Sequence, residues 1–237
     1  MNRTTVKLQS FGIDTFTFEE ALEYIINNPG QVVTINPEMV QCAKNSPEFA
    51  EVINSADLVI PDGIGVEIGL KILGYKVRRI AGIEFARKLV DRFSENSSPV
   101  AFVGARQEIV KKAVENLKQE TPSLNVCYVQ DGYFKDDERV LNELGNSGAK
   151  LVLVALGSPK QEFFIKRAKE LLPDAVMIGI GGSFDVWSGV VKRAPEIYQK
   201  LGLEWLYRTV KEPQRFKRIF PTLPLFILKV VQEKFGA

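Results

Sequence analysis

Short apolar runs of strand length alternate with helix-patterned stretches along almost the whole chain, and few folds accept that order. The runs are 31–35 (QVVTI), 57–60 (DLVI), 99–103 (PVAFV), 126–129 (VCYV), 151–155 (LVLVA) and 175–180 (AVMIGI). Helix patterns fill the intervals at 47–54, 64–73, 83–94, 108–119, 136–144 and 159–171. Ser46-Pro47-Glu48 reads as N-cap, proline at the first helical position and acid in the first turn, and Ser158-Pro159 repeats the arrangement. Strands apolar on both faces, each followed by a helix, predict a parallel sheet covered on both sides. With right-handed crossovers this gives an α/β, Rossmann-like, doubly wound, mainly parallel sheet over residues 1–191. At 237 residues, 45% hydrophobic and 25% charged, the chain can fill such a core without staples.

Charge marks the other division. From residue 192 to 237 ten basic side chains stand against four acidic ones, leaving +6 there and −4 on the rest of a chain whose net charge is +2. That stretch reads as a basic, amphipathic helical C-terminal appendage that meets anions or a membrane surface. In it Pro221 and Pro224 bracket an expected turn, followed by an apolar helix of about 11 residues. Such a helix is about 16 Å long, enough to lie on a bilayer and too short to cross one. Arg208, Lys211, Arg215 and Arg218 would share one helical face but for Pro213. No apolar leader is visible within residues 1–10, so no secretory signal is expected.

There is no histidine. Ser-His and Cys-His nucleophiles, histidine bases and histidine-held metals are therefore excluded, and acid–base work falls to carboxylates, lysine, tyrosine or cysteine. Cys42 and Cys127 form no C-x-x-C pair, which predicts free thiols in a reducing compartment. In a doubly wound sheet, ligands bind beyond the carboxyl ends of the strands. The residues there are Asn36-Pro37, Pro61-Asp62-Gly63, Gly104-Ala105-Arg106, Asp131-Gly132, Gly157-Ser158-Pro159 and Gly181-Gly182-Ser183. Small residues and helix starts suit close approach of a diphosphate. The stretch 179–184 begins as G-x-G but has Phe184 in place of the third glycine, and no P-loop occurs.

Local chemistry leaves several roles open. Asp62 is either a turn and helix-cap residue or a general base, and Asp131-Gly132 offers the same local chemistry. Thr34 and Asn36 share a strand face. Asp185 either holds ribose hydroxyls or caps a turn. Gln161 fits a solvated first helical turn and Arg79 a surface charge.

The segments 34–40 (TINPEMV), 56–65 (ADLVIPDGIG), 79–82 (RIAG) and 102–104 (FVG) continue with 155–162 (ALGSPKQE), 179–189 (GIGGSFDVWSG), 193–195 (RAP) and 203–208 (LEWLYR). In that order they resemble the bacterial WecG/TagA/CpsF glycosyltransferase family, most closely its TagA branch. The resemblance implies inverting transfer of N-acetylmannosamine from a UDP-sugar donor to undecaprenyl-diphosphate-N-acetylglucosamine, making the linkage unit of wall teichoic acid. A donor carrying N-acetylmannosamine uronate is the alternative within the family. The resemblance puts the catalytic carboxylate on Asp62 and donor-side polar positions on Thr34, Asn36, Arg79, Gln161 and Asp185; the clustering of small and polar residues after the strands adds Gly181, in the 181–185 loop, as a UDP-binding position. Arg208, Arg215 and Arg218 are expected to meet phosphates. Glu84 stands where the family pattern has aspartate.

No cofactor or obligatory metal is implied, and the absence of D-x-D agrees. Expected partners are the two substrates and an anionic membrane surface, with no nucleic acid; a homo-oligomer is compatible. The implied location is the bacterial cytoplasm, peripherally on the inner face of the cell membrane. The rival readings are another nucleotide-dependent α/β enzyme and a non-catalytic membrane-binding module.

Overall fold

The computed structural model describes residues 3–200, 202–211 and 216–236; the side chains of 200, 205, 208, 211 and 216–221 lie outside the description. Strands β3 (Gln31–Ile35), β4 (Leu58–Pro61), β5 (Val100–Gly104), β6 (Val126–Gln130), β7 (Leu151–Ala155) and β8 (Val176–Gly179) form a six-stranded sheet in the order β4-β3-β8-β7-β5-β6. Every pairing in it is parallel, as expected for apolar runs separated by helices. A separate antiparallel hairpin, β1 (Thr5–Leu8) and β2 (Phe11–Asp14), precedes it.

Side-chain alternation sorts the strands' residues between two faces. Val32, Leu58, Ile60, Phe102, Leu153 and Ile178 pack on one side with α1 (Phe18–Asn27), α5 (Gly82–Glu95), α6 (Gln107–Glu120) and α9 (Ser183–Trp187). Val33, Ile35 and Val59 pack on the other with α2 (Pro37–Lys44), α3 (Pro47–Asn54) and α4 (Ile64–Leu73). On that same side α7 (Asp137–Gly145) and α8 (Lys160–Leu171) cover Ala101, Val103, Val152 and Val154. The result is a three-layer α/β fold.

Several helix boundaries follow from local chemistry. Ser46 caps α3 as expected, its side chain accepting from the Phe49 N–H at 3.3 Å. Ser158 does not cap α8: Pro159 occupies the cap position and no side-chain cap bond forms. The edge strand β4 is fully buried because the hairpin lies against it. The buried Asp14 carboxylate accepts from the Val59 N–H at 2.7 Å and from Arg3 Nε at 2.7 Å, closing an edge that would otherwise be open for pairing.

The C-terminal segment corrects the expected layout. After α10 (Glu196–Lys200) and α11 (Glu204–Lys211), helix α12 runs from Phe216 to Phe235, 20 residues. Pro221 and Pro224 lie inside it rather than in a turn ahead of it. It packs on α4 and α2, and its Phe226 and Val230 are completely buried among Leu8, Ile35, Phe49 and Leu70. The close approach uses small residues one turn apart on α4. A Cβ at Gly69 would stand 3.1 Å from the Phe226 ring, and one at Gly65 would stand 2.6 Å from Leu223. The basic segment is therefore attached to the body by a shared core. Among the described residues no helix is long and apolar enough to cross a membrane.

Candidate functional site

After β3 the chain turns to the α2–α4 face, and after β8 it turns to the α9 face. Adjacent strands whose connections leave in opposite directions open a crevice at their carboxyl ends. A cleft of about 280 Å³ occupies that place. Thr34 and Asn36 line it from the end of β3, Asp62 from the end of β4, and Gly179, Gly182 and Ser183 from the end of β8. Arg79 and Gly82 lie beside Asp62, and Gly202, Glu204, Thr222 and Leu223 close the cleft from the C-terminal segment.

The register fixes Asp62. Its N–H donates to Ile35 O at 2.8 Å, which continues the β3–β4 pairing past Pro61 and sets the carboxylate beside Thr34 and Asn36. The segment after α4 returns along β4, with Ile80 N–H on Pro61 O at 2.7 Å, and brings Arg79 and the start of α5 to the same point. The half-buried Asp62 carboxylate accepts from the backbone N–H groups of Gly63 and Gly82, at the starts of α4 and α5. Burial pushes its pKa up to about 6, against those two hydrogen bonds and the nearby Arg79 cation, with Glu204 adding to the rise. Such a group is a carboxylate at neutral pH and still a competent proton acceptor.

A reaction that needs ionised Asp62 loses rate as pH falls through about 6. Removing the cation in Arg79→Gln should move that limb of the kcat/KM profile to higher pH, and Glu204→Gln should move it lower. A limb that stays put in both variants would separate it from Asp62.

The two Asp-Gly pairs, alike in sequence, part in the structure. Asp131 sits past β6 at the far edge of the sheet, where its Oδ1 accepts from the Tyr133 N–H at 2.8 Å: it is the turn residue. Asn36 does two things, capping α2 by accepting from the Met39 N–H at 3.0 Å while lining the cleft. Gln161 does not line the cleft. It is buried behind it, with Oε1 accepting from the Gly181 N–H at 3.2 Å. Asp185 lies one step back on α9, its carboxylate next to Gly182. Arg79 is not a free surface charge, since its guanidinium donates to Gln199 O.

Glu84 is on the rim, paired with Arg193 at 2.6 Å, and Arg193 also reaches Glu204 at 3.4 Å. Of the expected phosphate ligands, Arg215 lies outside the described residues, as do the side chains of Arg208 in α11 and Arg218 in α12. Sequence reading missed Glu38, Glu204, Thr222 and Leu223. The signal for the last two is the Gly65/Gly69 face on α4, which admits a close helix and predicts that one will cover it.

The cleft suits an anion. The starts of α2, α4 and α5 face it, and beyond the Gly63 and Gly82 N–H groups taken by Asp62, neither α4 nor α5 has a cap bond from its own N-cap side chain. Among the described residues no three His, Cys, Asp or Glu side chains converge as a metal-ligand set. Fold and cleft together place the protein among the doubly wound α/β proteins that hold ligands at a topological switch point. Within that class the sequence model of the Glycosyl transferase WecG/TagA/CpsF family matches residues 6–237, and the chain belongs to that family. It is similar to the N-acetylglucosaminyldiphosphoundecaprenol N-acetyl-beta-D-mannosaminyltransferase of Bacillus spizizenii. The two are 38% identical over 213 residues, spanning 89% of this chain and 82% of that protein. The resemblance carried by the motif segments thus extends over the chain.

Proposed function

We propose that the protein transfers N-acetylmannosamine from UDP-N-acetylmannosamine to undecaprenyl-diphosphate-N-acetylglucosamine, with inversion and without an obligatory metal. The observation that carries this reading is the Asp62 carboxylate, held by two helix starts beside Arg79 in an anion-accepting cleft. The relative named above supports the choice of substrates. In the step itself an acceptor hydroxyl oxygen bonds to the anomeric carbon while the carbon–oxygen bond to UDP breaks. Asp62 takes the hydroxyl proton, and the bonding electrons leave with UDP. Arg79 and the starts of α4 and α5 meet the negative charge that grows on the leaving diphosphate. Thr34 and Asn36 are the polar contacts on the β3 side of the same cleft.

The acceptor's lipid calls for action at a membrane surface, and we place the protein peripherally on the cytoplasmic face. Helix α12 supports this: opposite its buried Phe226 and Val230 it exposes Leu225, Leu228 and Phe235 on one face. Leu228→Asp should reduce co-sedimentation with anionic vesicles several-fold without changing the melting temperature. Undiminished co-sedimentation would move the membrane contact off this face.

The donor is tested by supplying UDP-N-acetylmannosamine, its uronate and UDP-N-acetylglucosamine with a short-chain polyprenyl-diphosphate-N-acetylglucosamine, following UDP release. Acceptor-dependent release with the first donor alone, unchanged by a chelator, is the expected result. Release with the uronate alone would reassign the donor, and release that ignores the acceptor would overturn the transferase reading.

A further inference from the structure

The first turn of α8 holds two adjacent buried polar side chains, Gln161 and Glu162, which are 4% and 2% exposed. Gln161 lies between two partners. Its Nε2 donates to Glu162 Oε1 at 2.8 Å, and its Oε1 accepts from the Gly181 N–H at 3.2 Å. Gly179 presses on the same carboxamide: a Cβ there would stand 2.5 Å from Nε2. Glu162 is itself anchored, its carbonyl accepting from Gln31 Nε2 at 3.2 Å, while its Oε2 has no hydrogen-bond partner among the described residues.

A carboxamide has one acceptor side and one donor side, and its two orientations nearly coincide in shape. Only one orientation suits Gly181, whose N–H needs an oxygen; the other sets donor against donor. We propose that Glu162 is a positioning residue for the donor site: by accepting from the Gln161 NH2 it fixes the carboxamide orientation, and Gln161 thereby holds Gly181 and the 179–183 loop that lines the cleft. The loop needs such a hold, because Gly181 adopts a left-handed φ of 49° between the strand end and α9. Burial raises the pKa of the Glu162 carboxyl, against hydrogen bonds from Gln161 and Ser158. The isostere glutamine keeps an acceptor oxygen at the reach of Oε1 and should therefore serve in its place.

The inference rests on the proposed UDP-sugar reading for its ligand but not for its hydrogen bonds, so two readouts are used. In the ligand-free protein, Glu162→Met and Gln161→Met should each speed amide exchange of residues 179–184 about tenfold, the usual loss for one buried hydrogen bond. Glu162→Gln should restore protection, and adding Glu162→Met to Gln161→Met should change exchange little further. In binding and kinetics the methionine variants should raise the UDP dissociation constant and the UDP-sugar KM about tenfold with kcat largely kept. Unchanged exchange in Glu162→Met, or a glutamine variant as exposed as the methionine one, would overturn the proposal. If the methionine variant does not fold, Glu162→Asp, whose oxygen falls one methylene short, decides: wild-type protection there overturns it and tenfold loss supports it. A wild-type protein that binds no UDP would sink the donor reading alone, because the exchange comparison needs no ligand.

Discussion

Asp62→Asn is expected to lower turnover by about two to four orders of magnitude while leaving UDP affinity within about twofold, the signature of a lost proton acceptor. The substitution keeps the side chain's shape and one acceptor oxygen for the Gly63 and Gly82 N–H groups, so the starts of α4 and α5 should stay in place. It removes the negative charge and the lone pair that would take the acceptor's proton. Steady-state transfer and calorimetric UDP titration of the same preparation separate the two effects. A variant with near-normal turnover would take the base role from Asp62. Asp131 is no substitute, since it lies across the sheet with its carboxylate committed to the Tyr133 turn.

The largest effect on stability is expected from Phe226→Ala, at about 3–5 kcal/mol, the usual cost of emptying a buried aromatic site. Phe226 is completely buried, and the ring lies against Gly69, where no neighbouring side chain can expand into the space. In a chain of this length that corresponds to a fall of roughly 10 °C in melting temperature. Leu228→Ala, two residues on and 55% exposed, should stay within about 0.5 kcal/mol. Equal costs at the two positions, measured by denaturant unfolding, would mean that α12 is not part of the core. Because Thr222 and Leu223 of α12 line the cleft, Phe226→Ala should also weaken UDP binding at temperatures well below its melting point.

The sheet was legible because its strands are apolar on both faces and all but the last are followed by a stretch of helical pattern. Helices α3 and α4 match their expected spans to the residue, since Ser46-Pro47 starts one and Gly74 ends the other. The hairpin was not legible. Its turn is Gln9-Ser10, two left-handed residues with φ of 51° and 76°, and neither is glycine or asparagine. What holds the turn is distant in sequence: Glu233 accepts from the Gln9 N–H at 3.1 Å, and the Gln9 amide donates to Lys229 O at 2.9 Å. Prolines misled the reading of α12, because Pro221 and Pro224 are stop signals in isolation and packing on α4 overrides them.

At the site, Asp62, Thr34 and Asn36 could be found because strand ends mark them. Glu204 could not, since a segment about 140 residues further along the chain brings it to Asp62. Gln161 was found but misplaced: a first-turn glutamine reads as solvated, and only the tertiary fold turns it inward.

Helix α12 completes the core that the first hairpin begins, which sets an order of events during synthesis. While the chain grows, Leu8, Ile35, Phe49 and Leu70 emerge long before Phe226 and Val230, and their shared cluster stays unfilled until α12 has been made. The Gln9 turn likewise waits for Glu233. Thr222 and Leu223 of the same helix close the cleft, so a nascent or prematurely terminated chain has a carboxylate in place and no finished pocket around it. Synthesis of α12 is thus a late step in building the site, and a chain cut before it should reach quality control as an open core rather than as a rogue enzyme.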